Sequence, residues 1–231
     1  MNEQYFKYPR TFHLPYSETI TDDDKRLEAD DHFYEMAEVV VSEKMDGQNQ
    51  TIYSDGYYHS RSIDGHGKSW DKWLKQYIQK FYDDIPKGWR ICGECLYAKH
   101  SIEYKFPNDG YLFQMFSIYN EKNVCLSWEQ TWMWCELLGL KEVPIIYVGK
   151  YDKNKILKAF NEYKSKQNNE VEGFVIRNID EFKYEDFSKN VGKYVRANHV
   201  QTDEHWTKNW TPNVVGLWKD EKDIYKYKGL N

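Results

Sequence analysis

Short apolar stretches rich in β-branched and aromatic residues alternate with turn-forming residues along most of the chain. Two of these stretches flank Asp46-Gly47, and Ser54-Asp55-Gly56 follows the second of them. Both turn sequences favour tight reversals, so residues 38–63 are expected to form hairpins. At least seven strands are predicted in total, at about 38–44, 50–53, 57–62, 89–97, 111–119, 144–148, 171–177 and 191–196. The strand 144–148 is expected to be buried because nearly all of it is apolar.

Helical periodicity predicts three long helices. The first covers 68–84, the second follows the capping box of Ser127 and Gln130 and covers 128–138, and the third covers 153–166. In the first helix the spacing i, i+3, i+4, i+7, i+8 and i+11 forms one apolar stripe, made of Trp70, Trp73, Leu74, Tyr77, Ile78 and Phe81.

Because hairpins dominate, the pattern predicts an α+β fold with largely antiparallel sheets flanked by helices. Residues 1–37 contain two prolines near the start and are predicted to form an extended arm. In this arm Arg10 and His13 either pack as ordinary residues or line a ligand groove. No linker or repeat is visible, so one domain is expected over 1–197, followed by a short tail or extension over 198–231.

Composition narrows the class of protein. The chain of 231 residues has a net charge of −5, which argues against a non-specific nucleic-acid coat protein but allows a local basic groove. Aromatic residues make up 17% of the chain and supply area for a core. No apolar stretch is long enough for a membrane span or a signal peptide, so a soluble cytoplasmic monomer is expected.

The four cysteines allow two interpretations. Cys92 and Cys95 have the C-x-x-C spacing of zinc and redox sites, but no matching second pair exists. They also lie on a predicted strand, where alternation puts them on opposite faces. We therefore expect Cys92, Cys95, Cys125 and Cys135 to be free structural thiols.

Lys44 has a setting that a surface lysine does not need. It ends an apolar strand, follows an acid and precedes the Asp46-Gly47 turn. A lysine that acts as a nucleophile must lose its proton near neutral pH, and burial or nearby cations favour that loss. Other charged residues on predicted strands could each face solvent, but together they would suit a nucleotide and a divalent metal: Glu43, Arg61, Glu94, Glu172 and Lys193.

Five segments together resemble the covalent nucleotidyltransferases, which comprise ATP-dependent DNA and RNA ligases and mRNA capping enzymes. Lys44-Met45-Asp46-Gly47 resembles their K-x-D-G signature, and Gly93-Glu94 resembles the following G-E. Residues 116–119, 172–177 and 191–196 are similar, in this order, to motifs III, IV and V. The resemblance covers about 38–197 and is strongest to the RNA ligase 2-like group, whose nucleophile motif is matched by Glu43, Lys44, Gly47 and Asn49.

The resemblance implies an adenylation domain with an ATP-grasp-like fold, ATP as cofactor and Mg²⁺ or Mn²⁺ as metal. Lys44 would become bound to AMP, Lys193 would bind the α-phosphate, and Glu172 would hold the metal or orient Lys44. Glu43 would contact the adenine amino group, and Phe116 would stack on the adenine face. Glu94 would bind the ribose, and Asn49 and Arg61 would contact the ribose or the phosphates.

Two features depart from the family pattern. Motif V usually has two lysines in K-x-K spacing, but position 195 is Val, and Arg196 would point away from Lys193 on a strand. Three explanations are open for the missing second lysine of motif V. Either one cation is enough at this site, or a bulge turns Arg196 toward Lys193, or Lys189 supplies the second charge. In addition, only 34 residues follow position 197. That length predicts no OB-fold domain and disfavours a typical DNA ligase or capping enzyme.

The function expected from the resemblance is ATP-dependent joining of 5′-phosphate and 3′-hydroxyl RNA ends through lysyl-AMP and RNA-adenylate. The alternatives are a DNA ligase-like or GTP-using nucleotidyltransferase, and a nucleotide-binding module without catalysis. The RNA is expected to contact Lys99, His100, Lys105 and the surface of the 72–80 helix.

Overall fold

The computed structural model describes residues 4–20, 24–197 and 210–216. Its strands are β1 (Phe12–His13), β2 (Val39–Lys44), β3 (Gln48–Tyr53), β4 (Tyr58–His59), β5 (Arg90–Cys95), β6 (Lys105–Phe106), β7 (Phe113–Tyr119), β8 (Val124–Cys125), β9 (Lys141–Glu142), β10 (Ile145–Gly149), β11 (Gly173–Asn178), β12 (Phe182–Lys183), β13 (Val191–Val195) and β14 (Val214–Val215). Its helices are α1 (Asp31–Tyr34), α2 (Lys72–Tyr77), α3 (Trp128–Leu137), α4 (Lys153–Lys166) and α5 (Phe187–Asn190).

Two sheets contain most of the strands. The five-stranded sheet has the order β1-β13-β11-β2-β10, and the seven-stranded sheet has the order β12-β8-β7-β5-β3-β4, with β9 beside β7. Long central pairs such as β2–β11 and β5–β7 are antiparallel, whereas β1–β13, β7–β9 and β6–β14 are parallel. The predicted α+β class is confirmed, and the sheets are mixed as well as antiparallel.

The chain passes from one sheet to the other immediately after Lys44. β2 pairs with β10 and β11 in the five-stranded sheet, while β3 pairs with β4 and β5 in the seven-stranded sheet. The predicted hairpin between 38–44 and 50–53 is therefore wrong, because residues 45–47 cross between sheets instead of turning back. A Cβ on Gly47 would lie 2.6 Å from the carbonyl oxygen of Cys95, so this crossing needs glycine. The second predicted hairpin, β3–β4, is confirmed, although β4 is shorter than expected.

The predicted first helix is interrupted. Only α2 is α-helical within 68–84, and 3₁₀ turns stand on both sides of it. Aromatic residues have modest helix propensity, and this stretch is held by packing on the seven-stranded sheet. The apolar stripe is buried as predicted at Leu74, Tyr77, Ile78 and Phe81. The other two helices are confirmed, and Ser127 and Gln130 form the expected capping box of α3.

The two faces of the five-stranded sheet differ in chemistry. On one face Val39, Val41 and Phe174 form a core with α4, to which Ile156 and Phe160 contribute. The opposite face turns toward the seven-stranded sheet. β10 lies at the edge beyond β2 and is partly exposed, so the expectation of a buried strand at 144–148 is wrong. An apolar sequence does not reveal whether a strand lies at the edge of a sheet.

The N-terminal arm crosses both sheets. β1 pairs with β13, whereas Tyr5 stacks on Tyr57 beside the seven-stranded sheet with 4.1 Å between ring centroids. Of the two arm residues considered from sequence, Arg10 is exposed, and His13 is buried and hydrogen-bonded to Ser17. The arm contains β1 and α1 and so is not irregular throughout.

The C-terminal segment 210–216 packs on the domain. Asn213 is buried, donates a hydrogen bond to the Leu96 carbonyl at 2.7 Å and accepts one from the Tyr104 amide at 2.8 Å. The rest of the predicted tail, 198–209 and 217–231, lies outside the described residues.

The cysteines are confirmed as free and buried, and Cys92 and Cys95 belong to different core clusters. This agrees with their expected positions on opposite faces of a strand. Across the described ranges, no helix has the length and apolar character needed to cross a membrane.

Candidate active site

A cleft of about 600 Å³ separates the two sheets, within the size range of ligand pockets. Its walls come from β2, β11 and β13 on one side and from β3, β5 and β7 on the other, and the arm adds Tyr8, Pro9 and Thr11. The arm therefore lines a groove, but not through Arg10 and His13, which are exposed and packed respectively. Seven of the eight site residues predicted from sequence line this cleft: Glu43, Lys44, Asn49, Arg61, Glu94, Phe116 and Lys193.

The eighth predicted residue, Glu172, is paired with Lys44. The Lys44 Nζ donates to Glu172 Oε2 at 2.5 Å, and the Glu172 side chain is almost fully buried. Burial by itself would lower the pKa of Lys44, but the Glu172 carboxylate outweighs it and raises the pKa, with smaller contributions from Glu94 and Asp46. In this arrangement Lys44 keeps its proton.

Glycine after Glu172 lets the two strands of this pair approach closely. Gly173 lies opposite Lys44 in the β2–β11 ladder and opposite Val195 in the β11–β13 ladder. A Cβ at this position would lie 1.9 Å from the carbonyl oxygen of Tyr194. The absence of a side chain at Gly173 thus brings Glu172 to the end of β2, where Lys44 stands.

Lys193 enters the cleft from β13 and is held by the N-terminal part of the chain. Its Nζ donates to Asp24 Oδ1 at 2.9 Å, and the other oxygen of Asp24 lies 3.0 Å from His13 Nε2. Burial lowers the pKa of Lys193, the Asp24 hydrogen bond opposes the change, and nearby Lys44 adds to it. A lysine in such a setting offers a positive charge to an incoming anion at small desolvation cost.

The two candidate partners of Lys193 point elsewhere. Arg196 donates to the Val171 carbonyl at 2.8 Å and to Glu170 at 2.8 Å, away from the cleft. Lys189 is exposed and pairs with Asp186 at 2.9 Å. The cleft instead receives a cation that the sequence interpretation did not include among its site residues, Arg177 on β11.

Glu94 and Asn49 face each other across the β3–β5 ladder. Burial raises the pKa of Glu94 to about 8, with Lys44 acting in the opposite direction. The Oδ1 atom of Asn49 is buried, and nothing in the described part of the chain donates to it. Since a buried acceptor without a donor is costly, Asn49 is suited to a ligand hydroxyl or amine. Arg61 is exposed at the mouth of the cleft.

The aromatic end of the cleft is built around Phe116. Tyr8 contacts this ring edge-on at 5.2 Å between centroids, and the Arg177 guanidinium donates to the Phe116 carbonyl at 3.4 Å. Arg177 also lies 5.5 Å from the centroid of Trp128, which lines the cleft as well. Sequence reasoning missed Tyr8 and Trp128 as site residues, because neither stands in a recognisable motif.

Glu43 lines the cleft, but its carboxylate is turned to the other face of the sheet. Tyr163 on α4 donates its hydroxyl to Glu43 Oε2 at 2.5 Å. Burial raises the pKa of Glu43 to about 7, the Tyr163 hydrogen bond opposes this and Glu172 adds to it. A contact between this carboxylate and an adenine amino group requires the Tyr163 bond to open, and it stays a prediction.

The carboxylates near Lys44 would suit a metal shared with a ligand. Within the described residues, no group of three or more His, Cys, Asp or Glu side chains is arranged to hold a metal by itself. Mg²⁺ is usually bound through one or two carboxylates plus substrate phosphates. Glu172 is 5% exposed and interacts electrostatically with Glu94, so a cation between them would relieve buried negative charge. Metal binding by Glu172 stays a prediction.

Comparison with protein families finds a match over most of the chain. The RNA ligase family model matches residues 37–195 and includes β2 through β13. This confirms the resemblance to RNA ligases found in the sequence. A comparison with curated protein sequences finds no relative.

Solved RNA ligases share the fold. An RNA ligase mutant of Naegleria gruberi with ATP and Mn has a TM-score of 0.52 at 17% identity, over 85% of this chain and 61% of that one. An archaeal ATP-dependent RNA ligase has a TM-score of 0.51 at 17% identity, over 82% of this chain and 48% of that one. The chain therefore spans 48% to 61% of the length of these proteins. At such low identity the likeness concerns the fold alone.

Proposed function

Because the chain belongs to the RNA ligase family, we propose that it is an ATP-dependent ligase joining 5′-phosphate and 3′-hydroxyl RNA ends, with Lys44 as nucleophile. The observation that carries this proposal is the 2.5 Å pair of Lys44 and Glu172 in a cleft that also presents Lys193 and Phe116. In this pair the pKa of Lys44 is raised, so Lys44 becomes a nucleophile only when its proton passes to a base, and the Glu172 carboxylate is placed to take it.

In the first step Lys44 Nζ attacks the α-phosphorus of ATP. Nζ is protonated in the pair with Glu172, so it gives up one proton before the attack and a second as the N–P bond forms and the bond to pyrophosphate breaks. Glu172 Oε2 lies 2.5 Å from Nζ and is within reach of the first of these protons. Lys193 neutralises the α-phosphate oxygens and disfavours the charged form of Lys44.

The roles proposed for the other residues follow from their places in the cleft. Phe116 stacks on the adenine, Glu94 accepts hydrogen bonds from the ribose hydroxyls, and Asn49 and Arg61 contact the ribose or the phosphates. Glu172 would hold a Mg²⁺ or Mn²⁺ ion, which supplies positive charge to the phosphates. Positioning and charge neutralisation account for most of the rate of such transfers.

The later steps use the same atoms. A 5′-phosphate oxygen of RNA attacks the phosphorus of lysyl-AMP, the N–P bond breaks, and RNA-adenylate forms. A 3′-hydroxyl oxygen then attacks the RNA 5′-phosphorus, so that a phosphodiester forms and AMP leaves. RNA as substrate is supported by the family of the chain, and ATP with a divalent metal by the solved relative that contains ATP and Mn.

The proposal is tested by incubating the protein with α-³²P-labelled ATP and Mg²⁺ and separating the denatured protein on a gel. We expect a protein-bound label that survives alkali and is released by acid, as a phosphoramidate is, together with released pyrophosphate. Nicked RNA duplex and single-stranded RNA are then offered to the labelled protein, with DNA of the same sequence in parallel.

The outcomes separate the alternatives. ATP binding without a protein-bound label would identify a nucleotide-binding module without catalysis. A stronger label from α-labelled GTP, or preferential joining of DNA, would contradict an ATP-dependent RNA ligase and favour another nucleotidyltransferase.

Tyr8 provides a test of the adenine end of the cleft. Its ring contacts Phe116 and Phe187 and belongs to the wall of the cleft. In Tyr8→Ala we expect the KM for ATP in lysyl-AMP formation to rise about tenfold, since an aromatic pair contributes up to about 1.5 kcal/mol beyond its buried area. The rate at saturating ATP should change much less, because Tyr8 does not touch the phosphates.

Two variants serve as controls for this prediction. Tyr8→Phe keeps the ring and should raise KM less than Tyr8→Ala, by no more than about fivefold, since the net value of one hydrogen bond is about 1 kcal/mol. Tyr5→Ala removes a stacked ring from the same arm at Tyr57 and should leave the KM for ATP unchanged. An equal rise in KM for Tyr5→Ala would show that Tyr8 acts only by holding the arm in place.

A further inference from the structure

α4 is strongly basic although the whole chain is acidic. This helix of 14 residues contains five lysines and one glutamate, whereas the chain has a net charge of −5. α4 covers the face of the five-stranded sheet opposite the cleft and is not part of the proposed adenylation site. Basic residues gathered on one element of an acidic protein indicate an anionic partner.

Four of the five lysines of α4 divide into two groups, and the fifth is Lys166 at the C-terminal end. The Nζ of Lys155 lies 3.6 Å from a carboxylate oxygen of Asp152, and the Nζ of Lys158 lies 3.9 Å from one of Glu162. Each of these lysines therefore forms an ion pair with a nearby acidic residue. Lys153 and Lys164 have no ion pair within the described ranges. They are separated by about three helical turns and stand on the same side of α4.

That side of α4 borders a groove of about 480 Å³. Tyr16 and Tyr194 line it from the sheet side, with 5.9 Å between their ring centroids. The Lys153 Nζ lies 4.5 Å from the centroid of the Tyr16 ring, and Asn161 adds an exposed amide between the two lysines. Cations beside aromatic rings are the combination used to bind single-stranded nucleic acid.

The other charged residues of the groove are already engaged. Arg196 is bound to Glu170 and to the Val171 carbonyl, and Glu18 accepts a hydrogen bond from the Ala197 amide at 2.6 Å. The positive charge available to a ligand is therefore that of Lys153 and Lys164, whereas Glu18 keeps its negative charge at the same groove.

We propose that this groove binds the phosphate backbone of an RNA strand at some distance from the ends that react. The inference rests on the proposed function, since it assigns a second contact surface to the same substrate. On β13, Lys193 faces the cleft and the adjacent Tyr194 faces the groove. The cleft and the groove therefore lie on opposite faces of the same sheet, and a strand whose end lies at Lys44 would pass around the sheet to reach α4.

Part of the basic surface expected from sequence is paired with acids or belongs to the cleft. There Lys99 pairs with Glu103 at 3.1 Å, Lys80 lies 4.0 Å from Asp109, and His100 lines the cleft itself. Pairing with acids reduces the charge that these lysines can offer to phosphates. An RNA contact at that surface stays a prediction.

The test compares two double variants that remove the same charge from the same helix. Lys153→Gln with Lys164→Gln alters the groove, and Lys155→Gln with Lys158→Gln is the control. Binding of a fluorescein-labelled, 5′-phosphorylated RNA of about 16 nucleotides, the upper end of single-strand site sizes, is followed by anisotropy at several salt concentrations. For the groove variant we expect the Kd to rise about tenfold at low salt. The slope of log K against log salt should become shallower by about 1.4, which is 0.7 per lost phosphate contact.

The control variant should show less than half of both changes. Equal effects in the two variants would overturn the proposal, because only net charge would then matter. An unchanged Kd and slope in the groove variant would overturn it as well. If the groove double variant fails to fold, the single variants Lys153→Gln and Lys164→Gln carry the test, each with an expected slope change of about 0.7.

Failure of this inference can be told apart from failure of the proposed function. Lysyl-AMP formation is measured on the unaltered protein in parallel. Without lysyl-AMP the proposed function fails, while the anisotropy comparison still decides whether the groove holds RNA. With lysyl-AMP but no difference between the double variants, only the groove assignment fails.

Discussion

Replacing Lys44 by alanine is expected to abolish lysyl-AMP formation, with a loss of at least about 10⁴-fold, as for removal of other catalytic nucleophiles. Lys44 is the last residue of β2, and its Nζ lies 2.5 Å from the Glu172 carboxylate. The measurement is the initial rate of protein labelling by α-³²P-ATP, followed by peptide mapping of the unaltered protein. The label should map to Lys44.

Lys44→Arg distinguishes a nucleophile from a positive charge. Arginine keeps the charge and can still pair with Glu172, but it does not lose its proton at accessible pH. We therefore expect Lys44→Arg to be as inactive as Lys44→Ala. Labelling of either variant at the rate of the unaltered protein would contradict a covalent role for Lys44.

The alanine variant also needs a check of folding. Glu172 is 5% exposed, and removal of Lys44 takes away the cation that is paired with its buried carboxylate, which is costly. Thermal unfolding and equilibrium ATP binding of both variants separate loss of chemistry from loss of structure. Lys44→Arg is expected to unfold closer to the unaltered protein, because the ion pair can re-form.

Replacing Lys193 by alanine is expected to lower the rate of lysyl-AMP formation by about 10²–10³-fold, the effect of removing one group that stabilises transition-state charge. Lys193 is held in the cleft by Asp24 at 2.9 Å, and burial lowers its pKa. The rate at saturating ATP should fall more than the affinity for ATP, because charge on the transferred phosphoryl group grows in the transition state. Single-turnover labelling over a range of ATP concentrations measures both.

Lys189→Ala is the matched control for Lys193→Ala. Lys189 stands four residues earlier, is exposed and pairs with Asp186. Its loss should change the rate by less than about twofold, since an exposed ion pair contributes little. A large loss for Lys189→Ala would mean that this lysine supplies the second cation of motif V. A rate unchanged by Lys193→Ala would contradict the role assigned to Lys193.

Much of the local structure could be predicted from the sequence because its causes are local. Ser127 and Gln130 define the start of α3, and periodic apolar residues define α4 over 153–166. The prediction of one long helix around α2 was wrong, because the aromatic residues of this stretch are held by packing on the sheet. Propensity alone does not describe such tertiary packing.

Strand alternation contained more information than the sequence interpretation used. Lys44 and Glu43 are neighbours on β2, so their side chains must point to opposite faces of the sheet. In the structure Lys44 is hydrogen-bonded to Glu172, and the Glu43 carboxylate is hydrogen-bonded to Tyr163. The same rule correctly turned Arg196 away from Lys193.

The sequence by itself determined which chemical groups stand at strand ends and in what order, since motifs are local patterns. Only the tertiary structure decided which of these groups meet. Lys44 and Glu172 are 128 residues apart in the chain, and Tyr8 reaches Phe116 only because the arm crosses both sheets. The most important of these tertiary features is the crossing of residues 45–47 from one sheet to the other. Asp46-Gly47 favours a reversal locally, but pairing of β2 with β11 and of β3 with β5 depends on distant partners that no local signal specifies.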